Sequence, residues 1–240
     1  MTSAPPGQLP DLDRYPLLRH PVAGDTTLFL VRHGRTHSNR RRLLHGVTDV
    51  PLDGLGVRQA ERVGERLRRE ARPDVLISSP LSRALTTARA IGKHVGLEPT
   101  VVPTLIEMDF GALEGATIEG IALEHPDLAE RIFALDDGDL TWPDGESRGG
   151  FNARVLATFL AILEDHPAHR AVVVAHGGVI GSFLAQVQGR SPNDPAIYDV
   201  HNCGVTHLRV TAEQTVVHCR NDVFHLDGLV DPEEEGQGCD

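Results

Sequence analysis

The stretch LFLVRHGRTHSN, residues 28–39, runs four apolar residues directly into Arg32, His33 and Gly34. A short, fully apolar run of this kind suits a strand buried on both faces, as in a parallel sheet. The same pattern recurs along the chain. TLFLV is the first expected strand, DVLIS (74–78) the second, TVVPTLIE (100–107) a shorter third interrupted by Pro103, and AVVVA (171–175) a central fourth. Helical periods lie between them. Ala60, Val63 and Leu67 share one face of a helix over 55–70, with Arg58, Arg62 and Arg66 on another. PLSRALTTARAIGKHVG places Pro80 at a first helical position and stops at Gly96, and Phe151, Val155, Phe159 and Ile162 repeat at helical spacing within 147–165. HGGVIGSFLAQVQG reads as a helix after the fourth strand, and VTHLRV with TVVHCR as a closing hairpin. The alternation predicts βα units around a mostly parallel sheet.

Residues 1–26 read as an extended arm and 231–240 as an acidic tail, leaving 27–230 as one expected domain, with a weakly periodic, partly helical insertion over about 111–150 expected to lie over the site. Composition narrows the function classes. A net charge of −11 disfavours nucleic acid, whose partners normally show a basic excess. No run reaches the roughly 18 apolar residues of a membrane span, and the first residues lack a signal peptide's apolar core. Three scattered cysteines suit a reducing compartment, so a cytoplasmic location is expected.

In open α/β sheets ligands collect outside the carboxyl ends of the strands. Those positions here hold Arg32 and His33, then Arg83 at the start of a helix, Glu107, and His176 with Gly177. Two guanidinium forks and free helix-start amides suit a phosphate dianion. A neutral imidazole beside it can attack phosphorus, a carboxylic acid can protonate the departing oxygen, and a second imidazole can donate to a non-bridging oxygen. Taken singly, each residue has an ordinary structural explanation; it is their convergence that points to chemistry. Arg32, Arg35, Arg40, Arg41 and Arg42 also cluster, either as a rim for a second anionic group or as a solvated face.

Four blocks, LVRHGRT, SSPLSRALTTA, LIEMDFGALEG and VVVAHGGVI, resemble those of the histidine phosphatase superfamily, also called phosphoglycerate mutase-like, in the family's order. The resemblance implies an α/β three-layer sandwich, its mostly parallel central sheet flanked by helices. It implies His33 as the phosphorylated nucleophile, Arg32, Arg83 and His176 as the phosphate pocket, and Glu107 as the proton donor. Thr36 and Asn39 would line that pocket, and Gly177 would offer an amide. Leu43 and His45 stand where relatives often carry Arg and Gln, with Arg41 and Arg42 beside them; His45 is also the first alternative acid.

The form EMDFG resembles the phosphatase branch, so the expected activity is a phosphomonoesterase acting on a small organic phosphate, without metal or other cofactor. A phosphoglycerate mutase is the alternative. A phospho-ligand binding module would require a substituted catalytic position, and a metal-dependent hydrolase would require an HxH, HExxH or DxD arrangement near the strand ends. The expected partner is the small-molecule ester, with homodimerisation left open and neither nucleic acid nor membrane expected.

Overall fold

The computed structural model describes residues 25–134, 137, 139–194 and 198–231. The arm expected over 1–26 and the tail over 231–240 therefore lie almost wholly outside the described residues. Six strands, β1 (Thr26–Arg32), β2 (Val75–Ser78), β3 (Thr100–Val101), β4 (Arg170–Ala175), β5 (Val205–Val210) and β6 (Thr215–Asp222), form one sheet in the order β3-β2-β4-β1-β5-β6. β1, β2, β3 and β4 pair in parallel, whereas β5 and β6 add antiparallel at one edge. The sheet is mixed, with a parallel centre, as the apolar runs imply.

Both faces of the centre are buried, which is why β1 and β4 carry almost no polar residues. Leu28 and Leu30 pack on one side with Phe151, Phe159 and Phe183, and Phe159 stacks on Phe183 with ring centroids 3.8 Å apart. Phe29 and Val31 point to the other side and meet Val63, Leu67 and Ile91. Helices α2 (Gly54–Glu70) and α3 (Ser82–Val95) cover this second face; α6 (Arg148–Asp165) and α7 (Gly177–Val187) cover the first. The result is three layers. Among the described residues no helix is long and apolar enough to cross a membrane.

Several boundaries differ from the sequence expectation. α3 begins at Ser82 after the extended Leu81, so Pro80 precedes the helix rather than opening it; Gly96 closes it in the left-handed conformation, with φ of 75°. The strand expected over 100–107 stops after two residues. Pro103, which has no N–H to give a ladder, opens a 3₁₀ turn over Pro103–Leu105, and Glu107 follows that turn instead of ending a strand. The weakly periodic stretch 111–150 contains a 3₁₀ turn (Gly111–Leu113) and two short helices, α4 (Ile118–Glu124) and α5 (Pro126–Phe133). A single-turn helix, α1 (His37–Arg40), capped reciprocally by Thr36 and Asn39, follows β1.

On β5, His207 is stacked between Phe29 and His218, with centroids 4.4 and 4.7 Å away. Burial, and then the neighbouring His218, lower its pKa to about 4. The unfolded chain takes up this proton near pH 6.5, so between about 6.5 and about 4 it binds more protons than the folded protein. The histidine's contribution is therefore complete above that window and lost as pH falls through it. Thermal melts should show His207→Phe losing less stability than wild type on acidification from pH 7 to 4; identical slopes would contradict the assignment.

Candidate active site

β1 hands the chain to the site without losing its hydrogen bonds. His33 N–H donates to Ala175 O at the end of β4 (3.0 Å), and Asn202 Nδ2 donates to His33 O (3.0 Å). Gly34 then lies against Gly56, whose carbonyl leaves no room for a Cβ. This close approach fixes where His33 points. Its Nδ1 lies 2.7 Å from Gly34 O, an acceptor only, so Nδ1 carries the proton. Burial, followed by His176, Arg32 and Arg83, pushes its pKa well below the usual imidazole value. The ring is therefore neutral, with the lone pair of Nε2 uncommitted.

His176 caps the start of α7, with its ring centroid 5.2 Å from that of His33. Arg83 Nε donates to its Nδ1 (3.3 Å), and its Nε2 stands 2.7 Å from Ser79 Oγ. Arginine cannot accept, and burial holds this imidazole neutral as well, so the His176 proton sits on Nε2 and points at Ser79. Both ring nitrogens are engaged within the protein.

Arg83 is fully buried, and burial lowers its pKa to about 10. Its other nitrogens donate to Thr48 O (2.9 Å) and Gly46 O (2.6 Å). That loop is held from its other side by Glu114, whose carboxylate accepts from the N–H groups of Gly46, Val47, Thr48 and Phe110 at 2.9 to 3.2 Å. Burial opposes ionisation of Glu114, but the bonds from Thr48, Gly46 and Phe110 outweigh it and lower its pKa. Glu114 thus braces the loop that braces Arg83.

Glu107 accepts from Gly178 N (2.9 Å) and Met108 N (3.0 Å). Burial nevertheless raises its pKa above the ordinary carboxyl value, against those bonds and the two arginines. Arg154 secures the segment before it, donating to Thr104 O and Ile106 O (2.8 and 2.9 Å) while paired with Glu146 at 2.7 Å. Arg32 donates to Val200 O, and its Nε, beside Gly177, is buried without a hydrogen-bond partner among the described residues. A buried, unpaired guanidinium N–H is costly and is relieved by an anion.

A cavity of about 340 Å³ opens over this cluster. Arg32, Asn39, His45, Glu107 and Gly177 line it, while His33, Arg83 and His176 are buried and not part of its lining, and Thr36 is buried within the α1 cap. His45, held neutral by burial and then by Arg83 with a pKa of about 4, contacts Leu43 O and Thr36 Oγ1. Arg41 and Arg42 are exposed and outside the cavity wall. Ser79, Glu114, Arg154, Asn202 and the wall residues Arg148 and Tyr198 belong to the site but were not singled out in the sequence for a role. Only Ser79 and Glu114 fall inside motif blocks.

The family model of the histidine phosphatase superfamily, branch 1, matches residues 28–223. The chain belongs to this superfamily. A probable phosphoglycerate mutase GpmB from Yersinia enterocolitica is 30% identical over 83% of this chain and 94% of that protein. Bacillus stearothermophilus YhfR superposes with a TM-score of 0.76 at 26% identity, over 84% of this chain and all of that one (100%). A phosphoserine phosphatase from Entamoeba histolytica, solved with phosphoserine, has a TM-score of 0.74 at 27% identity, covering 84% and 99% of the two chains. The phosphoglycerate mutase-like fold and the phosphatase class expected from the motifs agree with these neighbours.

If Glu114 positions Arg83 through the loop, Glu114→Ala should lower kcat/KM for a phosphate ester by about 10²-fold, the usual cost of small misplacement. Glu114→Gln, which keeps an acceptor oxygen, should recover part of it. Wild-type kcat/KM in the alanine variant would contradict the bracing role.

Proposed function

We propose that this histidine phosphatase hydrolyses a small organic phosphomonoester through a phosphohistidine on His33. The observation that carries the reading is the uncommitted Nε2 lone pair of a neutral, buried imidazole beside the unpaired Nε–H of Arg32. Arg32, Arg83 and the α7 amide of Gly177 hold the phosphate, with Thr36 and Asn39 shaping the floor. No metal or cofactor enters the scheme, since guanidinium and amide groups supply the positive charge.

In the first step His33 Nε2 bonds to phosphorus and the P–O ester bond breaks. Glu107, protonated more readily because of its burial, gives its proton to the departing oxygen. His176 turns its Nε2 proton from Ser79 to a non-bridging oxygen. In the second step water attacks the phosphoryl group, Glu107 takes up the water's proton, and the N–P bond breaks to release phosphate and neutral His33.

Hydrolysis is favoured over a mutase because the solved phosphoserine phosphatase shares the fold over 84% of this chain, although a sequence relative is named as a mutase. Residues 27–230 are inferred to form one domain, because both core clusters share the one sheet. The location inferred is cytoplasmic and the partner a small phosphate ester. The exposed Arg41 and Arg42 favour the solvated-face reading over a substrate rim.

Glu107→Gln tests the acid. An alkoxide leaves only with a proton, whereas p-nitrophenolate departs with little help. The variant should lose about 10²- to 10⁴-fold in kcat/KM on a sugar phosphate and distinctly less on p-nitrophenyl phosphate. An equal loss for both would make Glu107 a pocket-shaping residue.

A further inference from the structure

The cavity wall is of two kinds. Besides the phosphate-facing residues it is largely apolar, built by Leu44, Phe110, Ile118, Ile132 and Trp142. One further cation lines it, Arg148 at the start of α6, 4% exposed. Arg148 Nη2 donates to Ile132 O (2.8 Å), and Nη1 to Asp137 O (3.2 Å) and Ala134 O (3.4 Å). These are main-chain carbonyls, which satisfy three N–H groups and neutralise no charge. A guanidinium has five N–H groups, so the Nε–H and one on Nη2 have no acceptor among the described residues.

The charge of Arg148 is only partly compensated among the described residues. Among the described residues Arg148 forms no ion pair; Asp137, within electrostatic reach, already holds Arg131 through bonds of 2.6 and 3.2 Å. Tyr198, on the same wall, donates its hydroxyl to Pro192 O (2.9 Å), and burial pushes its pKa up to about 12, so it stays neutral. The hydrogen bonds of Arg148 are with α5 and the segment just after it, at Ile132, Ala134 and Asp137, whereas Arg32 and Gly177 stand at the end of β1 and the start of α7. A desolvated cation that is only partly compensated and lines a cavity is stabilised by a ligand anion.

We propose that Arg148 is a specificity-determining residue that binds a carboxylate on the body of the phosphate ester, in the cavity whose apolar wall residues hold that body. This rests on the phosphatase reading above and names its substrate class: phosphomonoesters with an apolar or aromatic body and an acid at the remote end. It also moves the second anionic subsite from the exposed Arg41 and Arg42 to the cavity interior.

The test compares acid and amide esters of closely similar shape: 4-carboxyphenyl against 4-carbamoylphenyl phosphate, and 4-(2-carboxyethyl)phenyl phosphate against its amide. Wild type should prefer at least one acid over its amide by about tenfold in kcat/KM, the worth of one charge-assisted hydrogen-bonded contact. Arg148→Met should bring that ratio to about one, and Arg148→Lys, which keeps the charge without the fork, should leave it intermediate. Wild-type ratios near one for both pairs, or a preference that survives Arg148→Met, would overturn the proposal. Absence of phosphate release from all four esters in wild type would instead overturn the phosphatase reading.

Discussion

The structure depends on holding positive charge out of water beneath the carboxyl end of a parallel sheet. Arg32 and Arg83 are desolvated, and the carboxyl group nearest them, Glu107, is itself biased toward its protonated form by burial. In this surrounding an additional proton on either histidine is unfavourable, so both imidazoles stay neutral at physiological pH. In the reaction proposed for this site, the field that keeps His33 neutral also attracts the phosphate dianion, whose binding would relieve the Arg32 Nε–H, which has no partner among the described residues, and by linkage stabilise the fold.

The sheet supplies the rigidity that such concentrated charge needs. β1 and β4 run parallel and end at the same level, with Arg32 paired in register to Ala175, so His33 and His176 emerge side by side from adjacent strands. Their rings are then set by contacts from elsewhere: Gly34 against Gly56, Ser79 beyond β2, and Arg83 held between His176 and the 46–48 loop. Glu107 and Glu114 belong to one segment but act differently. Burial with two amide bonds leaves Glu107 raised, whereas four amide donors keep Glu114 ionised.

What was legible in the sequence follows from how each feature is encoded. β1, β4 and the long helices are written in apolar runs and 3.6-residue periods, and Arg32, His33 and His176 follow directly from where those runs stop. α4 and α5, at seven and eight residues, are too short to establish a period, so the sequence of 111–150 points only to a partly helical insertion and does not place its helices. Apolar content over 100–107 predicts a longer strand than the two residues found, because Pro103 lacks the N–H that a ladder needs. Asn202 steadies His33 from 169 residues away, a contact that no local pattern announces. Charge was the least directional signal: the conspicuous Arg40–Arg42 run is exposed, while the isolated Arg148 lines the cavity.

The central claim is that a neutral His33 becomes covalently phosphorylated. Rapid acid-free quenching of wild type with ³²P-labelled substrate, followed by peptide mapping, tests it most directly. The account predicts an acid-labile, base-stable phosphoryl group on His33, absent from His33→Ala. Label recovered on serine or aspartate, or turnover in His33→Ala near the wild-type rate, would contradict it.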